Sequence, residues 1–202
     1  MRNRFVLSVV LLGASASLAI AQAPTTTSTQ VRAAAPALAP APGFRADALA
    51  QLDDVGKKIV DLAQAVPAEK YGWRPAEGVR SVSEVYMHIA GANYFLPSFM
   101  GGKLPEGFSR DSEKKVTEKA QVVDWLKKSL DNVRTVVSNT PDADLDKKVK
   151  VFGGREMTER GLIMVMGNHL HEHLGQSIAY ARMNGIRPPW SEGASEPPPA
   201  KK

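Results

Sequence analysis

Cysteine is absent from the 202 residues of this chain. Its absence excludes a disulfide framework, a thiolate metal site, a cysteine nucleophile and a lipid-attached cysteine. The signatures of several common enzyme sites are missing too. The sequence has no glycine-rich phosphate loop that opens a helix, no serine nucleophile motif and no His-Glu-x-x-His zinc-protease pattern. Core packing must therefore stabilise the fold, and other side chains must carry any chemistry.

A basic stripe is also missing, although the formal net charge is +5. Lysines and acidic residues alternate along 111–119 and along 142–150. Neither segment can neutralise many phosphates, because its positive charges are interrupted by negative ones. We interpret both segments as solvated surface and expect no nucleic-acid partner.

An apolar run lies close to the N-terminus. Arg2 and Arg4 precede an uncharged stretch from Phe5 to about Ile20, and Ala19-Ile20-Ala21 is a small-x-small cleavage pattern. The run is shorter than the roughly 20 apolar residues that span a bilayer. These features predict a signal peptide at 1–21 and an exported protein, periplasmic or secreted, without stable membrane insertion after cleavage.

Composition separates the rest of the chain into one folded domain and two flanking segments. Residues 22–43 are dominated by Ala, Pro, Thr and Ser, which cannot bury enough apolar surface to offset the entropy of the chain. They are predicted to be a disordered linker, and residues 191–202 a disordered tail. The folded domain is predicted at 44–190, a length that fits a single core.

Apolar residues at steps of three and four predict four helices in this domain. The first ends at Pro67, the second begins at Ser81 and continues until Pro97, and the third covers about 117–138. The fourth begins after Thr158 and ends near Asn184. Four amphipathic helices with almost no strand predict an all-α fold, a four-helix bundle.

Two connections refine this prediction. The alternation at 148–151, followed by Gly153-Gly154, predicts a small β-hairpin before the last helix. The segment from Met100 to Asp111 is a long loop between the second and third helices. Its length permits a crossover, so periodicity alone does not choose between helix orders.

The chain has four histidines, and all of them fall in the folded domain. His169 and His173 are four residues apart, so a helix presents both rings on one largely apolar face. His88 lies on the apolar face of the second helix. Neutral imidazoles are costly to bury without partners, and a metal ion removes that cost. The three residues predict a site for one divalent ion, Zn²⁺, Ni²⁺ or Fe²⁺, with a coordination position left open.

Alternatives remain for the histidines and their neighbours. The three inward histidines can instead be hydrogen-bonded core residues, and His171 is predicted to be a surface residue. Glu172 flanks the pair on the helical wheel and is the candidate catalytic residue, exchanging protons with a water bound at the site. The alternative for Glu172 is a solvated flank position.

Three segments resemble the DinB/YfiT-like metalloenzyme family. They are Val66-Pro-Ala-Glu-Lys-Tyr-Gly-Trp-Arg-Pro75, the run 78–93 that contains His88, and His169-Leu-His-Glu-His-Leu-Gly-Gln176. The resemblance covers nearly all of 44–190. It implies a bundle of up-down-down-up order, a metal held by His88, His169 and His173, and frequent dimerisation, so a homodimer is expected.

The resemblance also implies classes of reaction. Similar proteins include thiol-dependent S-transferases and a mycothiol-dependent isomerase, in which the metal would lower the pKa of a small thiol. The predicted export departs from this picture, because thiol cofactors of this kind are mainly cytosolic. The function hypothesis is a metal-dependent enzyme of hydrolase or S-transferase type with a small-molecule substrate. The alternative is a non-catalytic exported metal-binding or interaction protein.

The predicted signal peptide can be tested by mass. We expect the protein recovered from the periplasm or medium of a Gram-negative host to begin at Gln22, because the cleavage pattern ends at Ala21. Intact-mass spectrometry of that fraction measures the N-terminus. An uncleaved chain beginning at Met1 in the membrane fraction would contradict the prediction.

Overall fold

The computed structural model describes residues 43–109 and 111–191, which contain five α-helices, one β-hairpin and four short 3₁₀ helices joined by loops. The predicted signal peptide at 1–21 lies outside the described residues. The predicted linker at 22–43 and tail at 191–202 also lie outside them, apart from Gly43 and Ser191.

The four long helices lie where the apolar spacing predicts them, which confirms the all-α prediction. In chain order the helices are α1 (Phe44–Ala65), α2 (Val82–Ser98), the short α3 (Ser112–Lys115), α4 (Lys119–Asn139) and α5 (Glu159–Met183). Helix α3 is the one element of this set that the sequence did not predict. No helix in the described ranges is long and apolar enough to cross a membrane.

The beginning of α2 is fixed by the predicted capping box. The Ser81 hydroxyl accepts a hydrogen bond from the Glu84 backbone N–H at 3.3 Å, and the Glu84 carboxylate accepts one from the Ser81 N–H at 2.7 Å. These two bonds satisfy backbone donors that have no partner inside the helix. Thr158 caps α5 in the same way, accepting from the Gly161 N–H at 3.1 Å.

The end of α2 differs slightly from the prediction. Pro97 lies inside the last turn, and the helix continues to Ser98. A proline has no N–H to bond the carbonyl four residues earlier, here that of Asn93. The side chain of Asn132 on α4 donates to the Asn93 carbonyl instead, at 3.0 Å, so the helix loses no buried hydrogen bond at this point.

The hairpin before α5 is confirmed. Strands β1 (Lys148–Lys150) and β2 (Glu156–Thr158) are antiparallel, with Val149 paired to Met157. Gly153 and Gly154 in the turn have φ of 70° and 73°, a region that glycine enters without strain. Val149 and Met157 pack against the core and attach the hairpin to the bundle.

Helices α1 and α4 run in opposite directions. The Lys119 ammonium, at the start of α4, donates to the carbonyls of Gln64 and Val66 at the end of α1. At the other end of the bundle, the Arg45 guanidinium donates to the Thr140 carbonyl. The first residues of α1 therefore lie beside the last residues of α4.

Helix α2 begins at the same end as α4, and α5 finishes there. The Ser83 N–H donates to the Tyr71 carbonyl, and the Tyr71 hydroxyl donates to the Ala63 carbonyl near the end of α1. The Tyr180 hydroxyl, near the end of α5, donates to the Arg80 carbonyl. The order is therefore up-down-down-up, as the family resemblance implies.

Parallel α2 and α4 require a connection that returns along the bundle. Helix α2 has 17 residues, which is about 25 Å at 1.5 Å per residue. We call the connecting segment, residues 99–118, the crossover. It passes along α2, and α3 lies within it. One face of each long helix forms the core, with the fully buried side chains Ile59, Leu62, Ile89, Leu126, Leu162 and Met166.

Replacing Ser81 by alanine tests the cap. We expect Ser81→Ala to lower the free energy of unfolding by about 1 kcal/mol, because the Glu84 N–H loses its acceptor. Urea unfolding followed by circular dichroism measures the change. Ser138→Ala, at an exposed position on α4, is the matched control and should change stability by less than about 0.5 kcal/mol. Equal losses in the two variants would contradict the role of the cap.

Candidate metal centre

Three histidines from two helices meet inside the bundle. His88 comes from α2, His169 and His173 come from α5, and one ring nitrogen of each lies within 4.8 Å of the others. His173 is buried at 8 % exposure, and the other two are half-buried. The i, i+4 spacing places the two α5 rings side by side on one face of the helix, edge to face, with centroids 4.4 Å apart. The structure therefore brings together the three residues that the sequence singled out.

A chain of hydrogen bonds fixes the tautomer of His173. The Tyr180 hydroxyl gives its hydrogen to the Arg80 carbonyl at 3.1 Å, so it can only accept from the Gln176 amide N–H at 3.1 Å. The Gln176 oxygen therefore faces His173 and accepts from its Nδ1–H at 2.8 Å. With its hydrogen at Nδ1, His173 has a lone pair at Nε2, the form in which imidazole binds a metal.

A carboxylate fixes the tautomer of His88. Glu113 on α3 accepts from the His88 Nδ1–H at 3.1 Å through one oxygen, and from the Arg80 guanidinium at 2.6 Å through the other. The Nε2 atom of His88 consequently carries a lone pair. Bonds of this type orient metal-binding histidines in many proteins and raise their basicity.

His169 is the least satisfied of the three. The Nε2 atom of His169 lies 3.2 Å from Nε2 of His88. Because His88 Nε2 carries a lone pair, in the absence of a metal Nε2 of His169 must carry the hydrogen. Nδ1 of His169 is then a bare acceptor, and it is the one buried side-chain nitrogen or oxygen in the described ranges without a hydrogen-bond partner. Leaving a buried polar atom unpaired costs about 1–3 kcal/mol.

The three residues fit a divalent ion. Imidazole nitrogens bound at 2.0–2.1 Å in a tetrahedral site lie about 3.3 Å apart, close to the 3.2 Å between the Nε2 atoms of His88 and His169. A cation would also replace the contact between these nitrogens by two favourable bonds. Within 43–109 and 111–191 no further histidine or carboxylate joins the group, so a coordination position is left for another molecule.

Burial favours the neutral form of His169 and His88. The pKa of His169 falls from 6.5 to about 4, first because burial disfavours its charged form and then because His173, His88 and Arg80 repel a positive charge. The pKa of His88 is lowered mainly by burial and by Arg80, although Glu113 acts in the opposite direction. Neutral rings are the form that ligation requires.

Glu113 is the main residue that the sequence analysis missed. The alternating charges at 111–119 were interpreted as solvated surface, and for Glu113 that interpretation is wrong, since its side chain is 23 % exposed. The cause is the crossover, which brings α3 against α2. Nothing in the local pattern distinguishes Glu113 from its charged neighbours. Gln176 was noticed only as part of a motif, and its contact with His173 was not foreseen.

Glu172 and His171 lie on the outside of α5. Glu172 is exposed, and with the residues that the structure describes it forms neither a hydrogen bond nor an ion pair. Its role in proton exchange stays a prediction. His171 is exposed as predicted, and its Nδ1 contacts the Gly167 carbonyl at 2.9 Å.

A cavity of about 340 Å³ opens beside His88. Its walls come from α2, from Arg80 just before α2, from α4 and from the crossover, and it is partly open to solvent. Arg80, His88 and Glu113 all line it. A small molecule in this cavity would therefore lie next to the histidine group.

Fold and site together define a helical-bundle protein with a three-histidine group that can hold a metal ion. The chain belongs to the DinB superfamily, whose family model matches residues 51–177. This match confirms the resemblance noted in the sequence.

Solved structures agree on the fold. A DinB-like protein from Bacillus cereus ATCC 10987 has 22% identity and a TM-score of 0.62, over 70% of this chain and 93% of that one. A DinB-like protein from Bacillus subtilis has 21% identity and a TM-score of 0.56, over 69% and 92% of the two chains. A mycothiol-dependent maleylpyruvate isomerase has 13% identity and a TM-score of 0.53, over 66% and 62%. No curated protein matches the chain.

The buried state of His169 predicts how the stability of the metal-free protein varies with pH. Its folded pKa of about 4 lies below the ordinary 6.5, so the unfolded chain takes up the proton first as the pH falls. The wild type should therefore lose stability between about pH 6.5 and pH 4. The His169→Leu variant has no imidazole at this position and lacks this loss. The free energy of unfolding of the variant minus that of the wild type should therefore be more positive at pH 5 than at pH 8.

Urea unfolding in the presence of a chelator measures both proteins at the two pH values. Asn168→Leu, at an exposed position of the same helix and without a titratable group, is the control and should differ from wild type equally at pH 5 and pH 8. The prediction fails if the stability difference for His169→Leu does not change with pH.

Proposed function

We propose that the chain is a divalent-metal-dependent enzyme in which His88, His169 and His173 hold one ion. Zn²⁺, Ni²⁺ and Fe²⁺ all accept imidazole nitrogen. The observation that carries the proposal is the pair of hydrogen bonds from His88 and His173 to Glu113 and Gln176. These bonds leave the Nε2 lone pairs free for ligation, and hydrogen bonds to solvent would not fix them in this way.

The chemistry supplied by such an ion is a lowered pKa of a water or thiol bound at its open position. The protein's part is to hold the ion and to shape the space around it. Glu113 and Gln176 keep two of the rings in position. Arg80 donates to one oxygen of Glu113 and so holds the other oxygen of that carboxylate against His88. The cavity beside His88 gives a substrate a place next to one of the three ligands.

The activated group distinguishes a hydrolase from an S-transferase. The similarity to a mycothiol-dependent isomerase supports a thiol. The proposed export of the chain supports water, because small thiol cofactors are mainly cytosolic. A substrate screen with and without added glutathione separates the two, since hydrolysis persists without thiol and transfer does not.

Metal content tests the site directly. We expect the mature protein, purified without a histidine tag, to contain about one metal ion per chain, because its three ligands are fixed in place. His88→Ala and His173→Ala should lose it, since two ligands do not hold an ion at micromolar concentration. Inductively coupled plasma mass spectrometry measures the content after equilibration with Zn²⁺ or Ni²⁺.

Two further variants sharpen this test. His171→Ala, also a histidine of α5 but exposed, should keep the full metal content. Glu113→Gln should bind about 10–100-fold more weakly, because the hydrogen bond to His88 loses its charge. The matched change at an exposed crossover position, Glu106→Gln, should have no effect. A native protein without metal would end the enzyme proposal and favour an exported interaction domain.

A further inference from the structure

The cavity beside His88 has two unlike ends. Met87, His88, Gly91 and Phe95 on α2 all line it, at positions that share one side of a helix. The residues near His88 are charged, and those towards Phe95 are apolar. From His88 to Phe95 the helix rises about 10 Å. The space is therefore elongated along α2, with His88, one member of the histidine group, at its polar end.

Aromatic rings form the apolar end. Phe108 of the crossover and Trp125 of α4 line it, and both rings make edge-to-face contacts with Tyr94, at 6.1 Å and 5.9 Å between centroids. Such edge-to-face contacts hold rings in defined orientations. Tyr94 itself is buried at 7 % exposure. The walls are therefore an ordered aromatic surface that suits a flat apolar group.

A glycine makes the space available. Gly91 lines the cavity, and a Cβ atom added there would lie 3.8 Å from the Phe108 ring. That distance is an ordinary contact, so alanine fits. A leucine would extend beyond the Cβ into the space between α2 and Phe108. The size of the residue at position 91 thus sets how much of the cavity a ligand can use.

The charges at the polar end cancel one another. Arg80 and Glu113 are joined at 2.6 Å, and Glu113 also accepts from His88, which is neutral. Ser109 and Ser112 add hydroxyl groups to the lining. Without a metal ion this end has no net charge to attract an anion. With a divalent ion on three neutral rings it is positive.

We propose that this cavity binds a small aromatic molecule that carries one acidic group. Its ring lies against Gly91, Phe108 and Trp125, and its acidic group points towards His88. A volume of about 340 Å³ is near the lower limit of small-ligand sites and too small for a polymer. The preference for the acidic group rests on the proposed metal, whereas binding of the ring does not.

Two fluorescent probes that differ by one acidic group test both parts. The probes are 8-anilinonaphthalene-1-sulfonate and its neutral counterpart N-phenyl-1-naphthylamine, titrated into chelator-treated and Zn²⁺-loaded protein. The metal-free protein should bind the two with similar affinity. Loading with Zn²⁺ should strengthen binding of the sulfonate by at least about fivefold, by attraction between opposite charges. It should leave binding of the neutral probe unchanged.

Matched glycine variants locate the site. Gly91→Leu should weaken binding of both probes by at least about tenfold, because it fills the apolar end. Gly167→Leu is the control: Gly167 also lies in a helix, and it lines a separate apolar groove between α1 and α5. No neighbouring atom obstructs a side chain at Gly167. The control should bind both probes like wild type and so excludes that groove as the binding site.

Two measurements distinguish a blocked cavity from a misfolded variant. Circular dichroism and zinc content of Gly91→Leu should match wild type, and Gly91→Ala, which adds one methyl group, should weaken binding less than leucine does. Wild-type binding in a folded Gly91→Leu variant, or loss of binding in Gly167→Leu alone, overturns the proposal.

The proposed metal-dependent function and the proposed cavity ligand can fail independently of each other. Zinc binding without probe binding overturns the cavity proposal and leaves the metal site standing. Probe binding that Gly91→Leu abolishes, in a protein that takes up no zinc, supports the ring site and overturns the metal-dependent function. Equal effects of zinc on the charged and neutral probes overturn the acidic preference.

Discussion

Helices α2 and α4 run in the same direction as neighbours, and the candidate site depends on the connection that this arrangement requires. A short turn joins only antiparallel helices, so the chain must return along α2 before α4 can begin. The crossover brings Glu113 against His88 and places Phe108 over the cavity. In an up-and-down bundle with short loops, no crossover would bring Glu113 to His88 or Phe108 to the cavity. The histidine group would then face solvent on the side of α2 where the crossover lies.

Arg80 connects the two hydrogen-bond systems that orient the histidines. Its backbone carbonyl accepts from Tyr180, the first link towards Gln176 and His173, and its guanidinium donates to Glu113, the partner of His88. Arg80 immediately precedes the Ser81 cap of α2, so the capping box also fixes where Arg80 lies. Trp73 packs edge-on against Tyr180 at 5.4 Å and holds its hydroxyl in place. A helix cap that stabilises the fold thus also sets the protonation pattern of the site.

The sequence predicted the features that depend on neighbours along the chain. The pairing of His169 with His173 follows from the helical repeat alone, and the Ser81 cap follows from a spacing of three residues. Glu113 was missed because its partner is 25 positions away and is reached only through the path of the crossover. The extension of α2 past Pro97 was missed for the same reason, since Asn132 satisfies the orphaned carbonyl from another helix. The family resemblance supplied the helix order that periodicity left open.

The crossover has a consequence for how such a protein diverges. Phe108 and Glu113 lie five positions apart in one segment; Phe108 lines the cavity, and Glu113 contacts His88 of the histidine group. A change that reshapes the cover for a different molecule also moves the group that orients His88. The shape of the cavity and the orientation of His88 therefore change together, and an insertion in this segment alters both in a single step. Variation at Gly91 or Trp125 has no such link, so adaptation to new ligands has a separate route through the helices.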